Sequence, residues 1–126
     1  MKAILDTSVL LATDVAELEG ELAISAASLA ELHFGVLITA DAAIRAERLR
    51  RLSDLQRKFD ALPVDEQVAV SYGQLSAAVA AVGRQPRSRV MDLLIAATAH
   101  AHDARLYTRN ATDLFGIEHL VDIVAV

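Results

Sequence analysis

Five short apolar runs alternate with longer segments of helical periodicity, and this alternation constrains the fold more than any other feature of the 126-residue chain. The runs are "KAILD" (2–6), "ELAIS" (21–25), "DALPV" (60–64), "ARLYT" (104–108) and "VDIVAV" (121–126), and each reads as a strand. After the second, Leu29, Leu32 and Val36 recur at helical spacing, with Ser25 or Ser28 placed to cap. Residues 41–59 form an amphipathic helix with Ile44, Leu49, Leu52, Leu55 and Phe59 on one stripe. Residues 65–83 form another, with Asp65 as its cap and Gly83 as its stop. A further helix opens near Ser88 after a polar loop, "RQPRS", and a short helical turn, "ATDLFG", precedes the last strand. Strands separated by helices imply a parallel sheet covered on both faces, a three-layer α/β/α sandwich. The length suits one domain, 1–126, with no internal repeat or linker.

Composition removes several classes of chemistry. With no cysteine there is no disulfide, zinc thiolate or thiol nucleophile, which fits a reducing, cytoplasmic setting. The segment "MKAILDTSVLLA" is too short, and too interrupted by Asp6, for a signal peptide or membrane span. A formal charge of −5 has the wrong sign for bulk electrostatic binding of nucleic acid. Nine of the twelve Lys and Arg, however, fall in two windows, 45–58 and 84–89, leaving basic edges around an acidic remainder. No phosphate-binding glycine loop, dinucleotide fingerprint or nucleophile elbow is present. "DTS" begins like a D-x-D phosphatase signature, but Ser8 stands where the second acid belongs. His100 and His102 are two apart on a helix and face different ways, His33 has the same relation to Glu31, and His119 stands alone.

Four carboxylates remain. In open α/β sheets the reactive crevice lies beyond the C-terminal ends of the strands. Asp6 ends the first strand, Glu31 lies within about two turns of the helix after the second, Asp92 opens the helix before the fourth, and Asp113 follows the fourth. Each has a purely structural alternative. Asp6 could cap the next helix, Ser28 with Glu31 and Asn110 with Asp113 fit capping boxes, and Asp92 could complement a helix dipole. Converging acids would repel one another, and such a cluster persists only with raised pKa values or a bound cation. Oxygen ligands alone favour a hard ion, Mg2+ or Mn2+. Asp6 and Asp92 are the first choices as direct ligands.

Taken in order, "ILDTSVL", "SLAELHFG", "MDLLIAATA" and "LYTRNATDL" resemble the signature segments of the PIN-domain ribonucleases, and most closely the VapC toxins of toxin–antitoxin pairs. The resemblance implies that Asp6, Glu31, Asp92 and Asp113 are the family's acidic quartet. It makes Thr7 or Ser8 a hydroxyl bonded within the site, Thr108 a supporting hydroxyl and Asn110 the polar neighbour of Asp113. It also implies a five-stranded parallel sheet, Mg2+-dependent RNA cleavage, homodimerisation and inhibition by a VapB-type antitoxin, to whose groove the helix at 41–59 would contribute. The segment between Asp6 and Glu31, residues 7 to 30, is shorter than usual in the family, so the helical piece after the first strand looks trimmed. Arg84, Arg87 and Arg89, just before Asp92, form an edge that could contact RNA phosphates, or a solvated loop. A catalytically inactive PIN-like binding module and a small Mg2+-dependent phosphohydrolase remain as alternatives.

Overall fold

The computed structural model describes residues 1–12 and 17–126. The elements follow in the order β1 (Lys2–Leu5), α1 (Thr7–Leu11), β2 (Glu21–Ser25), α2 (Ala26–Leu37), α3 (Ala42–Lys58), β3 (Asp60–Leu62), α4 (Glu66–Ala81), α5 (Val90–Ala101), β4 (Arg105–Thr108) and β5 (Ile123–Ala125). Two 3₁₀ turns, Pro86–Arg89 and Ala111–Leu114, flank α5 and β4. All strand pairs are parallel, in the order β3-β2-β1-β4-β5. The expected five-stranded parallel sheet is therefore present, with its strands one or two residues shorter at several ends than their apolar runs.

Alternation along each strand divides the core between the two faces of the sheet. Ile4 and Leu106 point into one layer with Val68, Leu75, Leu93 and Ile95 from α4 and α5. Ala3, Leu5, Ile24 and Tyr107 point into the other, against α1 and the inner sides of α2 and α3, including Leu29, Leu32 and Leu55. The strand order reverses at β1, which lies between β2 and β4, so the crevice where ligands bind in such sheets opens past the C-terminal ends of β1 and β4.

Local chemistry sets most helix ends. Ser25 caps α2 by accepting from the Ala27 amide, Asp41 caps α3 and Asp65 caps α4. Gly83, at φ +80°, supplies the left-handed residue that stops α4. The start of α5 differs from the sequence expectation. The helix begins at Val90 without a side-chain cap, and Ser88 instead donates to the Gln85 carbonyl within the preceding 3₁₀ turn. Helix α1 has only five residues, in keeping with a shortened segment after β1, although residues 13–16 of that segment lie outside the described residues. The α3 stripe is divided: Leu52 is buried, while Ile44 and Leu49 stay about half exposed.

Candidate metal centre

Asp6 follows β1 directly, where a carboxylate meets the end of a buried aliphatic strand. It is 7% exposed. Its Oδ1 accepts from the Thr7 amide at 2.8 Å, so it does cap α1, as the structural alternative held. The cap uses only one oxygen. Oδ2 accepts from the Thr108 hydroxyl at 2.7 Å and the Ser8 hydroxyl at 3.0 Å. Ser8 Oγ in turn accepts from the Arg109 amide and Thr108 Oγ1 from the Asn110 amide, so the strand ends of β1 and β4 are joined through one carboxylate. A buried carboxylate needs donors of this kind to offset the hydration it loses.

Glu31 reaches the same place from α2. The Thr7 hydroxyl donates to Glu31 Oε1 at 2.7 Å and lies 3.0 Å from Ser28 Oγ. The capping-box alternative for Ser28 and Glu31 is thereby replaced, since Ser25 is the cap and both residues face Thr7 one turn further on. Ser28, completely buried, was missed as a site residue. Its i, i+3 relation to Glu31 places the two on one helix face, the same spacing that suggested the box.

Asp92 and Asp113 close the other side. The turn after Asp113 is held against the end of α4: Gly116 sits at φ +107°, and a Cβ there would lie 2.9 Å from Val82. Asn110 precedes the Ala111–Leu114 turn but makes no side-chain cap to it, so the second capping box is also not formed. Asp113 is instead paired with Arg89, Nη2 to Oδ1 at 3.2 Å, while Arg89 Nη1 lies 3.8 Å from Asp92 Oδ2.

The electrostatics draw these four acids into one site. Burial raises the pKa of Asp92, the negative charges of Asp6 and Glu31 raise it further, Arg89 opposes, and Asp113 adds to the rise. Repulsion of this kind is what a cation relieves, and the donors are all hard oxygens. Among the described residues, no three of the acids are grouped closely enough in this conformation to share one ion, so an ion held here would take one or two carboxylates and complete its shell with water. The donor set fits a hard divalent cation.

Of the three arginines on the approach to Asp92, the structure brings only Arg89 into the cluster. Arg84 lies over the Phe115 ring, 5.9 Å from its centroid, and its guanidinium is directed at the Phe115 and Thr112 carbonyls. Arg87 is exposed on its 3₁₀ turn. His100 is paired elsewhere, through Nδ1 with Ser71 Oγ at 2.8 Å.

A groove of about 500 Å³ begins at Thr7 and Glu31 and runs between α2 and α3, lined by Leu32, Gly35, Leu52 and Leu55 among others. Phe34, Leu37 and Ile38 on α2 and the turn after it, and Leu49 on α3, are exposed. No helix among the described residues is long and apolar enough to cross a membrane.

The PIN-domain family model matches residues 3–114. Ribonuclease VapC8 of Mycobacterium tuberculosis is 38% identical over 100 residues, spanning 76% of this chain and 88% of that protein. Ribonuclease VapC5 of the same organism is 37% identical over 113 residues, 85% of this chain and 82% of that one. Among solved structures, VapBC-5 from M. tuberculosis, a member of the VapBC family of toxin–antitoxin systems, superposes with a TM-score of 0.81 at 32% identity, covering 99% of this chain and 97% of that one. FitAcB from Neisseria gonorrhoeae shares the fold, with a TM-score of 0.76 at 24% identity over 96% and 95% of the two chains. With the matched segments carrying all four acids, the chain belongs to the PIN-domain family, in its VapC-type ribonuclease group.

Proposed function

We propose that this protein is a Mg2+-dependent endoribonuclease that hydrolyses RNA phosphodiester bonds at the acidic centre, and that it is the toxin of a VapBC-type pair. The observation that carries the reading is that Asp6, Glu31 and Asp113, from three other segments, all act on the charge of Asp92 near the strand-order reversal. Asp6 and Asp92 would hold the ion directly, with Glu31 as a further ligand or water-orienting group and Asp113 serving a second ion or acting through water. When bound, the cation supplies the Lewis-acid charge that phosphodiester hydrolysis requires, and Mn2+ would serve in place of Mg2+.

The chain's own residues prepare that site. Three donors fix the Asp6 carboxylate in one orientation. The Thr7 hydroxyl, backed by Ser28, sets the orientation of Glu31 and with it the position of any water that Glu31 orients or deprotonates.

The groove between α2 and α3 suits an apolar segment of a cognate VapB-type antitoxin, which would reach Glu31 at its inner end. A homodimer completes the proposed assembly.

The deciding experiment is cleavage of a structured RNA by the purified protein in Mg2+, in chelator, and with Asp6→Asn. Cleavage should require Mg2+ and fall at least about a hundredfold in the variant, with an unchanged circular dichroism spectrum. Full activity in Asp6→Asn overturns the assignment. Turnover of a small phosphate ester in preference to RNA would favour the phosphohydrolase alternative.

A further inference from the structure

One cation is already inside the acidic cluster. Arg89 ends the 3₁₀ turn before α5, and its two terminal nitrogens face Asp113 at 3.2 Å and Asp92 at 3.8 Å. All three side chains are about one-third exposed, so the group is neither deeply buried nor freely solvated. A guanidinium stays protonated at any ordinary pH, so its charge leaves the site only if the side chain moves. Arg84 and Arg87, from the same stretch, do not enter the cluster.

We propose that Arg89 is an internal counter-cation that competes with the divalent ion for Asp92 and Asp113, and so sets how tightly the metal-free protein takes up its metal. The proposal rests on reading the four acids as metal-holding. Two observations favour competition over mere proximity. Arg89 spans acids from two separate segments, one on α5 and one after β4, as a shared cation would. In addition, among the described residues no three acids are already grouped to hold an ion, while Asp92 and Asp113 both face the guanidinium, so an ion drawn to either acid meets Arg89 there and would exchange with its contact. The exchange subtracts the strength of the Arg89 contacts from the metal's binding energy.

The test is calorimetric titration of Mn2+, without RNA, into the wild-type protein and the Arg89→Gln, Arg87→Gln and Asp6→Asn variants. Arg89→Met replaces the Gln variant if thermal melting shows the latter to be poorly folded. Removing Arg89 should tighten Mn2+ roughly tenfold, about 1.4 kcal/mol. Arg87→Gln removes the same formal charge from the exposed side of the turn and should change the affinity less than about twofold. Unchanged or weaker binding in Arg89→Gln, with wild type binding and Asp6→Asn losing the ion, overturns the role of Arg89 and leaves the metal centre standing. Equal tightening in Arg87→Gln reduces the effect to long-range charge and also overturns it. Absence of Mn2+ uptake in wild type and Arg89→Gln alike removes both the proposal and the reading beneath it.

Discussion

Thr108 and Asp6 are 102 residues apart in the chain, yet the Thr108 hydroxyl donates a 2.7 Å hydrogen bond to Asp6 Oδ2. The contact exists because β1 and β4 pair in register, Leu5 opposite Tyr107, so that the next residue of each strand emerges at the same edge. The strand-order reversal of the sheet thus becomes a fixed carboxylate, and the remaining acids are arranged around it.

Removing that donor tests the relationship. Thr108 is fully buried, and Thr108→Val keeps its shape while leaving Asp6 short of one donor. The expected cost is about 2 kcal/mol in urea unfolding, because a buried charged acceptor loses a partner. Thr108→Ser should recover most of it. Equal stability of the Val variant and wild type would show that Asp6 does not depend on the bond.

Thr7 predicts a different outcome, since its hydroxyl serves Glu31 and not the Asp6 carboxylate. Thr7→Val should lower RNA cleavage about ten- to a hundredfold, the usual range for losing a group that orients a metal-site carboxylate. Its backbone amide still caps through Asp6, so stability should move little. Ser28→Ala should fall in the same direction by a smaller factor. Cleavage assays paired with thermal melts separate the two quantities.

Asp6 and Asp92 were legible in the sequence because each places a charge against an aliphatic segment that has to be buried, a local conflict visible without coordinates. The cap at Asp65 and the stop at Gly83 were legible for the same reason, being local chemistry; the cap at Asp41 was not read, though it is local chemistry of the same kind. What escaped was the choice of partner across long separations. Ser28 and Glu31 fit a capping box equally well as text, and only the arrival of Thr7 from α1 decides which bonds form. Arg89 read as one of three equivalent basic residues, because periodicity carries no information about which of them meets Asp113. The half-exposed α3 stripe shows the same limit: amphipathicity marks a face but not what covers it.

The raised pKa of Asp92 has a consequence for pH. Burial first, then Asp6 and Glu31, lift it above its ordinary value of 3.8 in the metal-free protein. The native state therefore holds this proton more tightly than the unfolded chain. Stability falls as pH rises from about 3.8 through the folded-state value, above which the cost is fully present. Asp92→Asn removes the charge, so the metal-free variant should melt higher than wild type at pH 7, with the difference closing below that ordinary value. Mn2+ should raise the melting temperature of wild type and not of the variant. A variant less stable than wild type at pH 7 without metal would contradict the repulsion.

The groove offers a substitution that separates partner binding from fold and catalysis. Gly35 lies within α2 on the groove wall, and a Cβ built there meets nothing within 4 Å. Gly35→Ala should therefore stabilise the protein by about 0.5–1 kcal/mol, the helix-propensity gain over glycine, without steric penalty. Gly35→Leu should keep the fold while projecting a branched side chain into the space that an antitoxin segment would fill. RNA cleavage should persist, because Thr7 and Glu31 remain in place at the groove's inner end. Affinity for the cognate antitoxin should fall at least about tenfold, equivalent to 1.4 kcal/mol. If the Leu variant binds the antitoxin as tightly as wild type, the partner docks elsewhere, and the exposed Phe34, Leu37 and Leu49 need another explanation.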